Sequence, residues 1–261
     1  MLTGRIGVTI ARNASGSAAV EQAKLWAQQL GAEYIVRPHN VSMPELMQQH
    51  GLAALVVGEK DGPRIHSEAG SFAYHPSMAV LRLQQLKRGQ TDHLLPALGL
   101  HEGVRVLDAT MGLAADAALS AYAVGAGGRV VGLEASPLLH FAVSYGLAHY
   151  VAEDEDLTAA LRRIEPMQAV AKEYLAQCAA QSFDVVYFDP MFRHPVQGSK
   201  AMDALRPLSY EAALDEETLA LARRAAARVV IKERSEYILQ QYGCTEFIGG
   251  KYSRIKYGIL A

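Results

Sequence analysis

From Val104 onward, short apolar runs alternate with helical stretches. Val104-Arg105-Val106-Leu107-Asp108, Arg129-Val130-Val131-Gly132-Leu133-Glu134, Phe183-Asp184-Val185-Val186-Tyr187-Phe188-Asp189 and Arg228-Val229-Val230-Ile231-Lys232 read as strands. Residues 114–124, 137–150, 172–180 and 215–227 carry helical patterns, and 166–169 reads as a further short strand. Such alternation predicts an α/β fold: a largely parallel sheet with helices on both faces. Residues 245–260 contain two β-rich stretches around Gly249-Gly250 and read as a closing hairpin that adds an antiparallel edge.

The chain before this is organised differently. Residues 1–70 read as a small α/β subdomain, leaving 71–261 as the main domain. Residues 6–10, 34–36 and 52–57 are strand candidates. Residues 17–30 form an amphipathic helix pattern with Val20, Ala23, Leu25, Ala27 and Leu30 apolar, stopped by Gly31. Glu59-Lys60-Asp61-Gly62-Pro63 reads as a turn into a hairpin. Helices are expected over 77–88, closed by Lys87 and Arg88, and near 92–97.

With 50% hydrophobic and 20% charged residues, the 261-residue chain can bury a sizeable core. Its formal net charge of −2 means that any nucleic-acid contact must come from a local patch. Cys178 and Cys244 stand far apart with no ligand-like spacing. That argues against a zinc site or a disulfide framework and for two reduced, packed thiols. No apolar run reaches the ~20 residues of a membrane span, and the start lacks a signal-peptide layout. The expected compartment is the cytoplasm, with no membrane and no metal as partner.

Val106-Leu107-Asp108-Ala109-Thr110-Met111-Gly112-Leu113-Ala114-Ala115-Asp116 is an apolar strand ending in an acid, then a glycine turn, then a helix. Ligands of open α/β sheets sit at such strand ends. A second acid, Glu134, closes the next strand and is suited to accept hydrogen bonds from ribose hydroxyls. Two strand-end acids without a phosphate-binding lysine fit a cationic adenosyl cofactor better than a triphosphate. A carboxylate at Asp108 or Asp116 can meet the cofactor's ammonium. The dinucleotide-binding alternative prefers G-x-G-x-x-G, which this turn does not supply.

Asp189-Pro190-Met191-Phe192 begins on the last residue of the Phe183–Asp189 strand. Proline lacks an N–H and fixes φ, so the chain leaves the sheet there. Phe192 can stack on a planar base. Asp189 and the Pro190 carbonyl can accept hydrogen bonds from an exocyclic amine, a weak nucleophile whose lone pair is delocalised into its ring. Methyl transfer to such an amine needs positioning rather than a metal or a nucleophilic residue.

Together these residues resemble the class I S-adenosylmethionine-dependent methyltransferases, and most closely the family that methylates a guanine N2 of small-subunit ribosomal RNA. The resemblance is carried by the Val106–Asp116 turn, Glu134, Asp189-Pro190-Met191-Phe192 with the basic segment to Lys200, and Val229-Val230-Ile231-Lys232. It implies a Rossmann-like methyltransferase sheet. It also implies cofactor contacts at Ala115, Asp116, Glu134, Ala135, Val170, Ala171 and Asp189, beside Asp108, Thr110 and Gly112 of the turn. Asp189, Pro190 and Phe192 would be catalytic. Met191, Arg193, His194 and Lys200 would meet the RNA. Ala114 and Ala115 depart from the family, which usually has Gly and Arg there. Lys251, Tyr252, Arg254, Lys256 and Tyr257 form a second basic-aromatic cluster, read as structural. Two other readings stay open: the same fold with a transfer RNA, DNA, protein or small-molecule acceptor, and a silent RNA-binding module.

Overall fold

The computed structural model describes residues 4–14, 16–190, 214–250 and 253–260. It resolves into two compact units. One holds the chain up to His75 together with Ser136–Gly146, and the other holds Pro76–Ala135 and the described residues from Leu147 to the end of the chain. The 136–146 segment joins the N-terminal unit from far along the chain, a grouping that a linear reading does not reveal.

The first unit is built on β1 (Arg5–Ile10), α1 (Ser17–Leu30), β2 (Glu33–Tyr34), α2 (Met43–His50), β3 (Leu52–Glu59), β4 (Gly62–Ser67) and β5 (Gly70–Ala73). Its sheet runs β2-β1-β3-β4-β5, parallel over the first three strands and antiparallel over the last two pairs. One face carries Leu55 and Val57 against Leu46 and Met47 of α2. A Ser42 capping box with Glu45 starts that helix. On α1, the buried Trp26 meets Phe141 and Tyr145 edge-on, with ring centroids 5.7 and 5.4 Å away.

The second unit opens with α3 (Ser77–Lys87), α4 (Leu94–Leu98), β6 (Arg105–Asp108), α5 (Ala115–Val124) and β7 (Arg129–Glu134). Helix α6 (Pro137–His149) comes next and begins in the first unit. The second unit continues with α7 (Glu155–Arg163), β8 (Ile164–Gln168), α8 (Ala171–Gln177), β9 (Phe183–Phe188), α9 (Glu216–Ala225), β10 (Ala226–Glu233), α10 (Glu236–Gln241), β11 (Glu246–Ile248) and β12 (Lys256–Leu260). The seven-stranded sheet has the order β11-β12-β10-β9-β6-β7-β8. All neighbours are parallel except the pairs made by β12. The expected hairpin is therefore present, with β12 inside it and β11 at the edge.

Strand order reverses between β6 and β9, the position at whose carboxyl ends α/β sheets generally bind ligands. The central strands are apolar because both faces are covered. Leu107, Val131, Val186, Phe188, Val229 and Ile231 share one core with Leu219 and Ala222 of α9. Lys87 does more than favour its own helix end: it pairs with Asp154 and Asp156 at the start of α7, each at 2.7 Å. Both cysteines are free; Cys244 is buried and Cys178 half-buried.

Candidate active site

Four strands end at one edge with charged side chains. Asp108 closes β6 in register with Gly132 of β7 on one side and Tyr187 of β9 on the other. Glu134 closes β7, Asp189 follows β9 directly, and Lys232 lies next to the end of β10. The turn after β6 is fastened to both neighbours. Ala109 donates its N–H to the Tyr187 carbonyl (2.8 Å), and Met111 donates to that of Leu133 (2.8 Å). The Thr110 N–H returns to Asp108 Oδ1 (3.2 Å), while the Asp189 N–H donates to Thr110 Oγ1 (2.6 Å). Thr110 thus ties the cofactor turn to the first residue of the Asp-Pro motif.

The turn is tight. Gly112 has φ +52° and Ala114, directly before α5, has φ +60°. The left-handed region suits glycine; for alanine it costs roughly 1–2 kcal/mol. A methyl group where the family usually has glycine thus meets a backbone strain. Gly132 supports the turn from below. A Cβ there would lie 2.3 Å from Met111 Sδ and 2.9 Å from its Cγ, so Met111 can lie across β7 only because residue 132 has no side chain.

Under these strand ends lies a chain of buried and half-buried charges. Lys232 Nζ bridges Asp189 (2.7 Å) and Asp116 (3.1 Å). Asp116 also accepts from the Tyr187 hydroxyl (2.7 Å) and from Arg82, which holds Asp92 at 2.8 Å. Burial alone would raise the Asp116 pKa, but Lys232 and Arg82 with their hydrogen bonds bring it down to about 2. For Asp189 the balance goes the other way. Burial, aided by the Asp116 charge, lifts it to about 6 against the pull of Lys232. Asp108 is fully buried and pushed well above the usual carboxylate range by desolvation and by Asp116. Burial also raises the Tyr187 and Tyr257 hydroxyls.

The structure brings Asp108, Thr110, Gly112, Ala115, Asp116, Glu134, Asp189 and Pro190 to this one edge. The Ala169 N–H donates to the Glu134 carbonyl (3.1 Å), which sets Val170 and Ala171 beside Glu134 and Ala135. Both oxygens of Asp116 are already engaged by protein groups. Met191, Phe192, Arg193, His194 and Lys200 lie outside the described residues, as do Lys251 and Tyr252. Tyr257 is buried and adjoins the Asp116–Lys232 charges, and Lys256 pairs with Glu236. His75 is exposed. Arg82 and Asp92 join these charges although no motif contains them, and Tyr187 and Tyr257, read only as a strand residue and as part of a structural cluster, adjoin them too. Lys232 carried the clearest sequence signal, as the charged end of the apolar Val229–Lys232 strand.

These residues fit an adenosyl cofactor. Asp108 is a buried carboxylate whose ion pairs, among the described residues, include no cation. Glu134 is a strand-end acid one strand away, and glycine leaves backbone open between them. Among the described residues no group of three or more His, Cys, Asp or Glu is arranged to hold a metal, and no helix is long and apolar enough to cross a membrane.

Comparison with known proteins agrees. Residues 61–256 match the family model described as "Putative SAM-dependent methyltransferase". Uncharacterized protein YpiP of Bacillus subtilis (strain 168) is 34% identical over 81% of this chain and 82% of its own length. Ribosomal RNA small subunit methyltransferase J of Stutzerimonas stutzeri (strain A1501) is 30% identical over 79% and 78%. Among solved structures, TrmN from Thermus thermophilus aligns with a TM-score of 0.44 at 15% identity, over 98% of this chain and 70% of that one. By the family model and these relatives, the chain belongs to the S-adenosylmethionine-dependent methyltransferases.

Proposed function

We propose that this enzyme methylates an exocyclic amine, the N2 of a guanine in small-subunit ribosomal RNA, in the cytoplasm. The observation that carries the reading is the junction of Asp189-Pro190 with the cofactor turn through Thr110. It puts the Asp189 carboxyl, the group assigned here to the amine, one strand from Asp108. The relative named for small-subunit ribosomal RNA supports the acceptor class.

S-adenosylmethionine supplies an electrophilic methyl group on a sulfonium. Glu134 holds the ribose hydroxyls, and Ala135, Val170 and Ala171 border the adenine. Asp108, Thr110, Gly112 and Ala115 face the methionine end, with Asp108 toward the ammonium. Asp116 acts by anchoring Lys232 and Arg82. Asp189 and the Pro190 carbonyl accept the amine's N–H bonds and turn its lone pair toward the methyl group. Methylation would make the amine nitrogen cationic, so a proton has to leave it. Asp189, with its pKa near 6, takes the released proton at neutral pH. Phe192 stacks on the base, and Met191, Arg193, His194 and Lys200 hold the flanking RNA. Residues 1–70 serve substrate recognition and 71–261 form the catalytic domain.

The test uses purified enzyme, methyl-labelled S-adenosylmethionine and small-subunit particles or naked ribosomal RNA from a strain lacking the gene. Mass spectrometry of digested RNA is expected to find one new N2-methylguanine, absent with Asp189→Asn. Label appearing only in transfer RNA, DNA or protein would overturn the acceptor, and no label in any of them would favour a silent module.

A further inference from the structure

The N-terminal unit has its own strand-order reversal. Strand β1 lies between β2 and β3, both parallel to it, so its carboxyl end is where an α/β sheet opens a crevice. Two arginines stand there, Arg12 after β1 and Arg37 after β2. Both donate to the carbonyl of Val41, at 3.2 and 2.9 Å. Sharing one acceptor holds the two guanidinium groups within about 6 Å, well inside a Debye length. Among the described residues neither pairs with a carboxylate.

The sheet face that packs against α2 also carries polar groups. Register puts Thr9, Val57 and Arg64 in one row, with His66 two residues along β4. Arg64 gives its Nε to Glu59 (2.9 Å), and its terminal nitrogens have no partner among the described residues. Among the described residues, Glu59 is the one carboxylate that pairs with any of these three arginines. Thr9 Oγ1 and His66 Nε2 are buried without a hydrogen-bond partner among the described residues. Burial and the charge of Arg64, with a smaller pull from Arg37, depress the His66 pKa against the charge of Glu59. Like charges gathered around a single carbonyl repel unless an anion lies between them. Arginine forks match the oxygens of a phosphate.

We infer that Arg12, Arg37 and Arg64 form an oxyanion site on the N-terminal unit that takes a backbone phosphate of the RNA acceptor. The inference rests on the RNA reading above. With a net charge of −2 on the whole chain, affinity for a polyanion has to come from a local cluster of this kind. Such a site positions the RNA without reading its sequence.

The experiment measures anisotropy of a fluorescent fragment of small-subunit ribosomal RNA bound to the full chain, in potassium chloride from about 50 to 300 mM. It compares the parent, Arg12→Ala/Arg37→Ala and the single Arg12→Glu, whose side chain is exposed. Each variant is expected to bind about tenfold more weakly near 100 mM salt, with the slope of log affinity against log salt reduced by about 1–2. Affinity for S-adenosylmethionine and the melting temperature of Arg12→Glu should stay at the parent's values. If the parent binds and methylates RNA but both variants keep its salt slope, the phosphate site is wrong and the acceptor reading stands. A parent that neither binds nor methylates RNA would sink both. Millimolar inorganic phosphate that stabilises the parent against melting, without RNA competing for it, would reassign the site to a free anion and overturn the inference.

Discussion

Replacing Lys232 by methionine removes the cation that Asp189 and Asp116 share while keeping a similar apolar stem. The two carboxylates respond differently. Asp116 keeps Arg82 and the Tyr187 hydroxyl. Asp189 loses its 2.7 Å ion pair. The other groups bearing on Asp189 are Asp116 from α5, Arg82 from α3, Asp108 from β6 and Tyr187 from β9. All but Arg82 are acidic, so nothing nearby replaces the lost charge. Loss of a cation at hydrogen-bonding range raises a carboxyl pKa by about 1–3. Starting from about 6, a rise of about 2 drops the ionised fraction at pH 7 from about nine-tenths to about one-tenth. The expected result is roughly tenfold slower methyl transfer at pH 7, with most of the rate recovered by about pH 9. The assay is kcat/KM against pH with labelled cofactor, alongside calorimetric affinity for S-adenosylmethionine, expected to change little. An acid limb that stays in place while the rate falls equally at every pH would refute the reasoning, because Lys232 would then be purely structural.

The same site sets three further outcomes. The folded-state pKa of Asp189 is raised, so its contribution favours the native state below about pH 4 and is lost as pH rises through about 6. Asp189→Asn should therefore gain about 1–2 kcal/mol in urea unfolding at pH 7 while losing turnover. That gain should vanish below pH 4, and a less stable variant at pH 7 would contradict it. A cationic ligand favours ionised Asp108, so cofactor binding should release protons and tighten as pH rises. Calorimetry in buffers of different ionisation enthalpy should detect this, and in Asp108→Asn the release should disappear. Gly132→Ala should push Met111 off β7 and weaken cofactor binding about fivefold or more, at a cost of about 1–3 kcal/mol in stability. Adding Met111→Ala should restore most of the binding; no rescue would place the strain elsewhere.

The central strands β6, β7, β9 and β10 are legible because each is an apolar run that is largely buried on both faces. The adjacency of Asp108 and Asp189 follows from chain order in such a fold. Some helices are harder to read. The pattern of α7 is mostly polar, and only Leu157, Ala160 and Leu161 are buried. Its signals are the Asp154 cap, acids in the first turn and arginines in the last. For α2 the Ser42–Glu45 box was available, but the stretch is short and flanked by polar residues. The charge chain below the site has no local signature. Arg82 and Asp116 lie 34 residues apart, and Asp116 and Lys232 lie 116 apart. Their pairing comes from packing of α3, α5 and β10, which spacing along the chain does not encode. The membership of 136–146 in the N-terminal unit is likewise a tertiary fact, since that segment is helical in either setting.

Trp26 is the only tryptophan in the chain, held edge-on by Phe141 and Tyr145. Its emission thus monitors a single unit, whereas far-ultraviolet dichroism averages over every helix. Denaturation curves from the two signals will overlay only if the protein melts as one cooperative body. If they separate, the indole alone gives the free energy of opening the N-terminal unit, with no engineered probe required.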